Sequence, residues 1–129
     1  MARQLFVHVG WTTRDQRPMI GVSESSFLRE FLPAEARRHS AEVIALGIVS
    51  DHLHLLLRLP LAFDVPALVK SLKGVSARLA NKDEQISRSG LRWAKGYVVR
   101  SVSPRNLRPA VRYVLGQRSH HPDHAIPVR

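Results

Sequence analysis

At 129 residues the chain has room for one hydrophobic core but not for two independent ones. Hydrophobic residues at 44% and charged residues at 23% exclude wholesale disorder, and the absence of cysteine excludes disulfides and thiolate zinc sites, so any metal must be held by nitrogen and oxygen. The formal charge of +10 lies entirely in the second half: residues 1–64 balance seven basic against seven acidic side chains, whereas residues 65–129 carry thirteen against three. Such asymmetry points to a polyanionic partner, since neutralised phosphates release counterions and steer association. The longest apolar run, residues 43–49, is too short to span a bilayer, and the N-terminus has no secretory cleavage pattern. A cytoplasmic protein is expected.

Along the chain, Leu5, Val7, Val9 and Trp11 alternate with Phe6, His8, Gly10 and Thr12, the period of a first strand. A loop through Arg17 and Pro18 leads to a helix capped by Ser23 or Ser25, with Phe27, Leu28, Phe31 and Leu32 at helical spacing. Pro33 should kink or divide it, and Arg37, Arg38 and His39 suit its C-terminus. Residues 41–49 read as a second strand, Ser50 and Asp51 as a turn, and residues 52–59 as a third strand ended by Pro60. Asp64 and Pro66 open a second helix whose stripe is Val65, Leu68, Val69, Leu72, Val75 and Leu79, with Lys70, Lys73 and Arg78 off it. Residues 82–90 read as a polar, mobile loop, and residues 91–102 as a fourth strand with Trp93, Tyr97 and Val99 on one face. Ser103 and Pro104 open a last helix with Leu107, Val111, Val114 and Leu115 on its buried side, before a His/Pro-rich tail.

The order β-α-β-β-α-β-α predicts an α+β fold: a ferredoxin-like, split βαβ antiparallel sheet with two helices on one face, and a C-terminal helix free to cover part of the other. Such an architecture hosts many activities, so function must be argued from side chains.

His52 and His54 are the sharpest local signal. Alternation along a strand projects both from one face, about 7 Å apart at Cα, where two imidazoles can converge on one ion. Leu53, Leu55, Leu57 and Leu59 point the other way and anchor the strand. Two half-exposed histidines on a sheet face would satisfy the same pattern. Tyr113 and Gln117 are four residues apart and share one face of the last helix, at the margin of its apolar stripe. An isolated tyrosine there could simply pack its ring. His8 could be structural or near a site; Asp51 is most simply a turn residue, with orientation of a neighbouring histidine as a further role. Trp11 and Trp93 read as core.

Taken in order, the segments HVGWTTRDQRPMI, SDHLHLLLRLP, LVKSLKGVSARLAN, WAKGYVVRSVSP and VRYVLGQRSHH resemble the HUH-type single-tyrosine transposases, which include small insertion-sequence transposases and REP-associated tyrosine transposases. The resemblance runs from about Val7 to His121 and implies a single transposase domain over residues 1–129. It implies His52 and His54 as a metal-binding pair, Gln117 as a third ligand through its side-chain oxygen, and Tyr113 as the nucleophile. It further implies Mg²⁺ or Mn²⁺ as cofactor and a covalent 5′-phosphotyrosine with a free 3′-hydroxyl, which later rejoins strands. Imidazoles favour manganese or zinc over magnesium, so the physiological ion is expected to be set by availability. Gly116 weakens the helix end by about 1 kcal/mol relative to alanine, so Gln117 is expected to be positioned when DNA or metal binds. Only residues 118–129 follow the catalytic helix, fewer than in many members of the family.

The expected partner is single-stranded DNA with hairpins near an element's ends, tracked by Lys70, Lys73 and Arg78 on the second helix and by Arg92, Lys95 and Arg100 on the fourth strand. A homodimer through the fourth strand is expected, and no membrane association. Two other readings fit the same residues: a domesticated relative acting on chromosomal repeats, or a catalytically silent single-stranded nucleic-acid-binding module. An RNA-recognition sheet would carry aromatic residues on its central strands, and residues 52–59 have none.

Overall fold

The computed structural model describes residues 4–116 together with Ile126. Within them the chain forms β1 (Gln4–Thr12), α1 (Val22–Arg38), β2 (Glu42–Ile48), β3 (His52–Pro60), α2 (Val65–Lys82), β4 (Val98–Val102) and α3 (Leu107–Leu115), with a turn at Arg14–Gln16 in which Asp15 and Gln16 take positive φ, and a 3₁₀ turn at Pro104–Asn106. The strands lie in the order β2-β3-β1-β4 and every neighbouring pair is antiparallel, the split βαβ arrangement predicted from the element order. No helix among the described residues is long and apolar enough to cross a membrane.

Alternation decides which side chains face the helices. Val7, Val9 and Trp11 of β1 and Leu53, Leu55, Leu57 and Leu59 of β3 point to one face, where they meet Leu28, Leu32 and Ala36 of α1 and Leu68, Val69 and Leu72 of α2. Each fully buried leucine contributes roughly 1.5–3 kcal/mol from water removal, so this layer holds the sheet. The second face is covered only in part. There Leu56 of β3 and Ala45 of β2 are sealed by Val114, with Leu107, Ala110 and Val111 of α3 packed around them. A register irregularity between Val43 and Ala45 turns that stretch of β2 towards α3.

Several local expectations are corrected. Gly21, not Ser23 or Ser25, is the N-cap of α1, and its backbone N–H donates to the Glu24 carboxylate three residues on at 3.2 Å. Pro33 neither ends nor divides α1; the buried Leu28 and Leu32 before it and Ala36 after it keep the helix continuous past the missing hydrogen bond. The buried stripe of α2 runs through Ser76 and Ala80 rather than Val75 and Leu79, which are only half-buried. Trp93 explains the first shift, since its indole N–H donates to Ser76 Oγ at 3.0 Å. Asp64 does cap α2, accepting from the Ala67 N–H at 3.1 Å.

The segment 82–90 is tied down rather than loose: Ser87 is buried, Ile86 packs on the core, and Ser23 Oγ donates to the Ile86 carbonyl at 2.8 Å. Residues 91–97 are not part of β4. Asn81 takes both backbone groups of Leu91, Thr13 bridges Trp93, and Gly96 adopts φ +83°, which takes the chain out of the ladder before Val98 rejoins it. On α3, Leu115 is 62% exposed, leaving Val114 as the fully buried residue of that helix.

The two long helices are pinned at Glu35. Its buried carboxylate accepts from Ser71 Oγ of α2 at 2.8 Å, and it lies 3.3 Å from His39 Nε2 and 3.1 Å from Arg38 Nη1. Burial pushes this carboxyl up, but the Ser71 and His39 hydrogen bonds and the Arg38 and His39 charges outweigh it and hold its pKa below the ordinary carboxylate value. A depressed carboxyl stabilises the fold fully above its unfolded pKa and loses that contribution as pH falls through the folded value. Glu35→Gln is therefore expected to cost about 1 kcal/mol at pH 7, with a gap to the parent that narrows below about pH 4. Urea unfolding at a series of pH values checks this; a gap independent of pH contradicts it.

Candidate active site

The exposed part of the second face collects the chemistry. Along β3 the outward residues are His52, His54, Leu56 and Arg58. Leu56 lies beneath α3, Arg58 pairs with Glu42 of β2 at 3.0 Å, and the two histidines occupy the end that α3 leaves open. A cleft of about 670 Å³ opens there, lined among others by His8, Gly10, His52, His54, Arg100 and Tyr113.

Both imidazoles of the pair are held through Nδ1. His52 Nδ1 lies 2.8 Å from Oδ1 of the buried Asp51, and His54 Nδ1 lies 2.8 Å from His8 Nε2. The two rings are 5.3 Å apart between centroids and nearly perpendicular, at 88°. Register explains the second contact. Gly10 pairs with His54 across β1 and β3, and a Cβ at position 10 would lie 2.8 Å from His54 Nδ1. The missing side chain lets the imidazole lie over β1 and reach His8 two residues along.

Tyr113 completes the group. Its ring lies 6.0 Å from His54 and 6.0 Å from His8 between centroids, edge-on to both, and the residue is 44% exposed. The last helix therefore brings the phenol to the histidines within one chain. Arg100 of β4 pairs with His8 in the ladder and borders the cleft. Burial first, and then the Arg100 charge, hold the His8 pKa below the ordinary histidine value, favouring a neutral ring beside His54. Among the described residues no three His, Cys, Asp or Glu side chains are grouped to hold a metal ion. The face thus offers two oriented imidazoles, a donor set suited to a divalent ion that takes its remaining ligands from elsewhere. Gln117 and the tail histidines His120, His121 and His124 lie outside the described residues.

The predicted DNA-contact residues divide between two faces. Arg100 borders the cleft. Arg92 and Lys95 sit in the segment before β4 rather than on it. Lys70, Lys73 and Arg78 belong to α2, on the layer opposite the histidines. Lys73 acts as a strut within the protein. Its Nζ donates to the carbonyls of Ala94 at 2.7 Å and Gly96 at 2.8 Å, and burial lowers its pKa. The sequence alone leaves His8 open between a structural role and a place near the site, and nothing local singles out Gly10. The signal available was their position on the face of β1 opposite its apolar residues; the register that sets them against His54 is a tertiary fact.

Comparison with known proteins gives a consistent result. The family model "Transposase IS200 like" matches residues 2–117. The ISDra2 transposase TnpA of Deinococcus radiodurans is 28% identical over 119 residues, covering 88% of this chain and 84% of that protein. Among solved structures, a candidate transposase from Deinococcus radiodurans R1 superposes with a TM-score of 0.68 at 27% identity, over 97% of this chain and 95% of the other. A REP-associated tyrosine transposase bound to a REP hairpin superposes with a TM-score of 0.72 at 14% identity, over 94% and 71%, a likeness of fold.

The two roles open to α2 lysine and arginine side chains separate by stability. Lys73→Ala should lose roughly 1–3 kcal/mol, because two carbonyls lose a charged donor, while Arg78→Ala should stay within about 0.5 kcal/mol of the parent. Denaturant midpoints check this, and equal midpoints would contradict the strut assigned to Lys73.

Proposed function

Because the chain belongs to the IS200-like transposases, we propose that this DNA-cleaving enzyme works on single-stranded DNA with Tyr113 as nucleophile and His52 and His54 as holders of a divalent metal. The observation that carries the reading is the meeting of the Tyr113 ring with the His54 ring at 6.0 Å on the open half of the sheet's second face. Residues 1–129 would act as one transposase domain.

A phenol is a weak nucleophile and gains most from being held in line with the phosphorus it attacks. Tyr113 is on a helix seated by Val114 and Leu107, which presents its ring beside His54. Its oxygen would bond to phosphorus as the bond to the 3′-oxygen breaks. The phenolic proton leaves to solvent, the departing oxygen takes one up as a 3′-hydroxyl, and the 5′-phosphate stays on the tyrosine. Attack by a second 3′-hydroxyl reverses the chemistry and joins strands without an external energy source.

A bound Mg²⁺ or Mn²⁺ supplies charge stabilisation on the scissile phosphate. His52 and His54 would hold it, with the Gln117 side-chain oxygen as a third ligand. Arg100, at the cleft, is the best placed of the basic residues to meet a backbone phosphate, and the cationic side chains of Arg92 and Lys95 would add to the field that draws the strand in. The solved relative bound to a REP hairpin supports a folded single strand as the substrate class. A homodimer through β4 is supported by the exposed Val98 and Val99 on that edge strand.

The test is a denaturing gel of protein mixed with single-stranded DNA from the flanks of its gene and Mn²⁺. A covalent protein–DNA species is expected, absent in Tyr113→Phe and in excess chelator. A species that persists in either condition rejects the corresponding role. Arg100→Ala should weaken DNA binding and flatten the dependence of log K on log salt by about one unit; an unchanged slope removes Arg100 from the interface.

A further inference from the structure

We infer that His8 is a positioning residue for the metal site: its Nε2 accepts a hydrogen bond from Nδ1–H of His54 and so fixes which nitrogen of His54 faces the ion. The inference rests on the reading of His52 and His54 as metal holders and goes beyond it by assigning a role to a residue outside the His-x-His pair.

Three observations converge. The nitrogens of His8 and His54 are 2.8 Å apart, a full hydrogen bond between side chains 46 residues apart in sequence. Their rings lie 4.8 Å apart between centroids and are tilted by 31°, so the two imidazoles are in ring contact as well as hydrogen-bonded. Gly10 stands opposite His54 and leaves the space the imidazole occupies, where a Cβ would come within 2.8 Å of Nδ1. The strand thus supplies both a gap to lay the ring in and a partner to stop its rotation.

The direction of the hydrogen bond follows from valence. An imidazole that gives one nitrogen lone pair to a metal carries its proton on the other nitrogen and is a donor there. With Nδ1 of His54 on His8, Nε2 is the nitrogen that would meet the ion. His8 must then present a lone pair at Nε2 and carry its own proton at Nδ1. His52 is held in the same sense, with Nδ1 towards Asp51 Oδ1 at 2.8 Å. The two metal-holding rings are therefore oriented by different chemistry, one by a carboxylate and one by a neutral imidazole. A neutral acceptor orients the ring without adding negative charge beside the phosphates the cleft would take.

Mn²⁺ binding followed by the electron paramagnetic resonance signal of the free ion tests this without any turnover. Partners of metal ligands typically contribute 10–100-fold to affinity, so His8→Ala should weaken Mn²⁺ binding by about that factor, and Gly10→Ala likewise, with folded far-ultraviolet spectra. His8→Gln, whose amide oxygen can accept the same proton, should recover most of the loss. Long-range ¹H–¹⁵N spectra should place the His54 proton on Nδ1 in the parent and distribute it over both nitrogens in His8→Ala. If His8→Ala does not fold, Gly10→Ala and the parent spectrum decide. Parent-like Mn²⁺ affinity in the folded variants, with affinity lost in His54→Ala, overturns the role of His8 and leaves the metal reading standing. Equal loss in His8→Gln and His8→Ala overturns the acceptor role. A parent that binds no Mn²⁺, or a His54→Ala protein that binds as the parent does, overturns the metal reading and this inference with it.

Discussion

The site exists because α3 covers only half of the second face of the sheet. β3 is a central strand buried on its first face along its whole length, and at Leu56 it is buried on the second face too. Two residues earlier the cover stops, and the residues that face outward there are imidazoles rather than leucines. A longer or shifted helix would seal His54 under apolar side chains; a missing one would leave Leu56 and Ala45 in water. The same nine-residue helix carries Tyr113 at the boundary of its own buried stripe, so the element that limits the cleft also delivers the phenol to it. Packing and chemistry are two consequences of one placement.

Most of the fold was legible because it is written in alternation. The period of two in β1 and β3 and the helical spacing in α1 and α2 are local properties, and the order of the elements then leaves few topologies. The pair His52 and His54 was legible for the same reason, as was Tyr113 at the edge of a helical stripe. Other features depend on partners distant in sequence. Trp93 and Tyr97 alternate with Val99 as if in a strand, yet Asn81 and Lys73 from α2 satisfy that backbone before any ladder can form. Ser76 looks like an interruption of an apolar stripe until the Trp93 indole is placed against it. His8 and Gly10 gain meaning only through the register of β1 on β3.

Charge shows the same limit. The basic excess of the second half predicts a polyanion, but a count along the chain cannot say which face each cation reaches. Lys70, Lys73 and Arg78 share the helical layer, whereas Arg100 shares the cleft. Lys73 is the instructive case, because an amine that reads as a phosphate contact spends its hydrogen bonds on the carbonyls of Ala94 and Gly96. Its charged end closes the loop of residues 94–96 onto α2. Electrostatic steering over the whole surface remains compatible with that local duty, since a field does not require each of its sources to touch the ligand.

The detour of residues 94–97 has a further effect on the outer rim of the sheet. Between the Thr13–Trp93 bridge and the Gly10–Val98 pair the outer chain spends more residues than β1 does, so it bulges away before rejoining. What faces outward beyond β1 is therefore not one long ribbon but the five residues of β4, bounded on one side by the bulge and on the other by Ser103 and Pro104. An incoming strand finds a short template with abrupt ends. Such a rim can align a single antiparallel neighbour in few registers, and it denies a growing stack the uninterrupted length on which fibrous polymerisation depends.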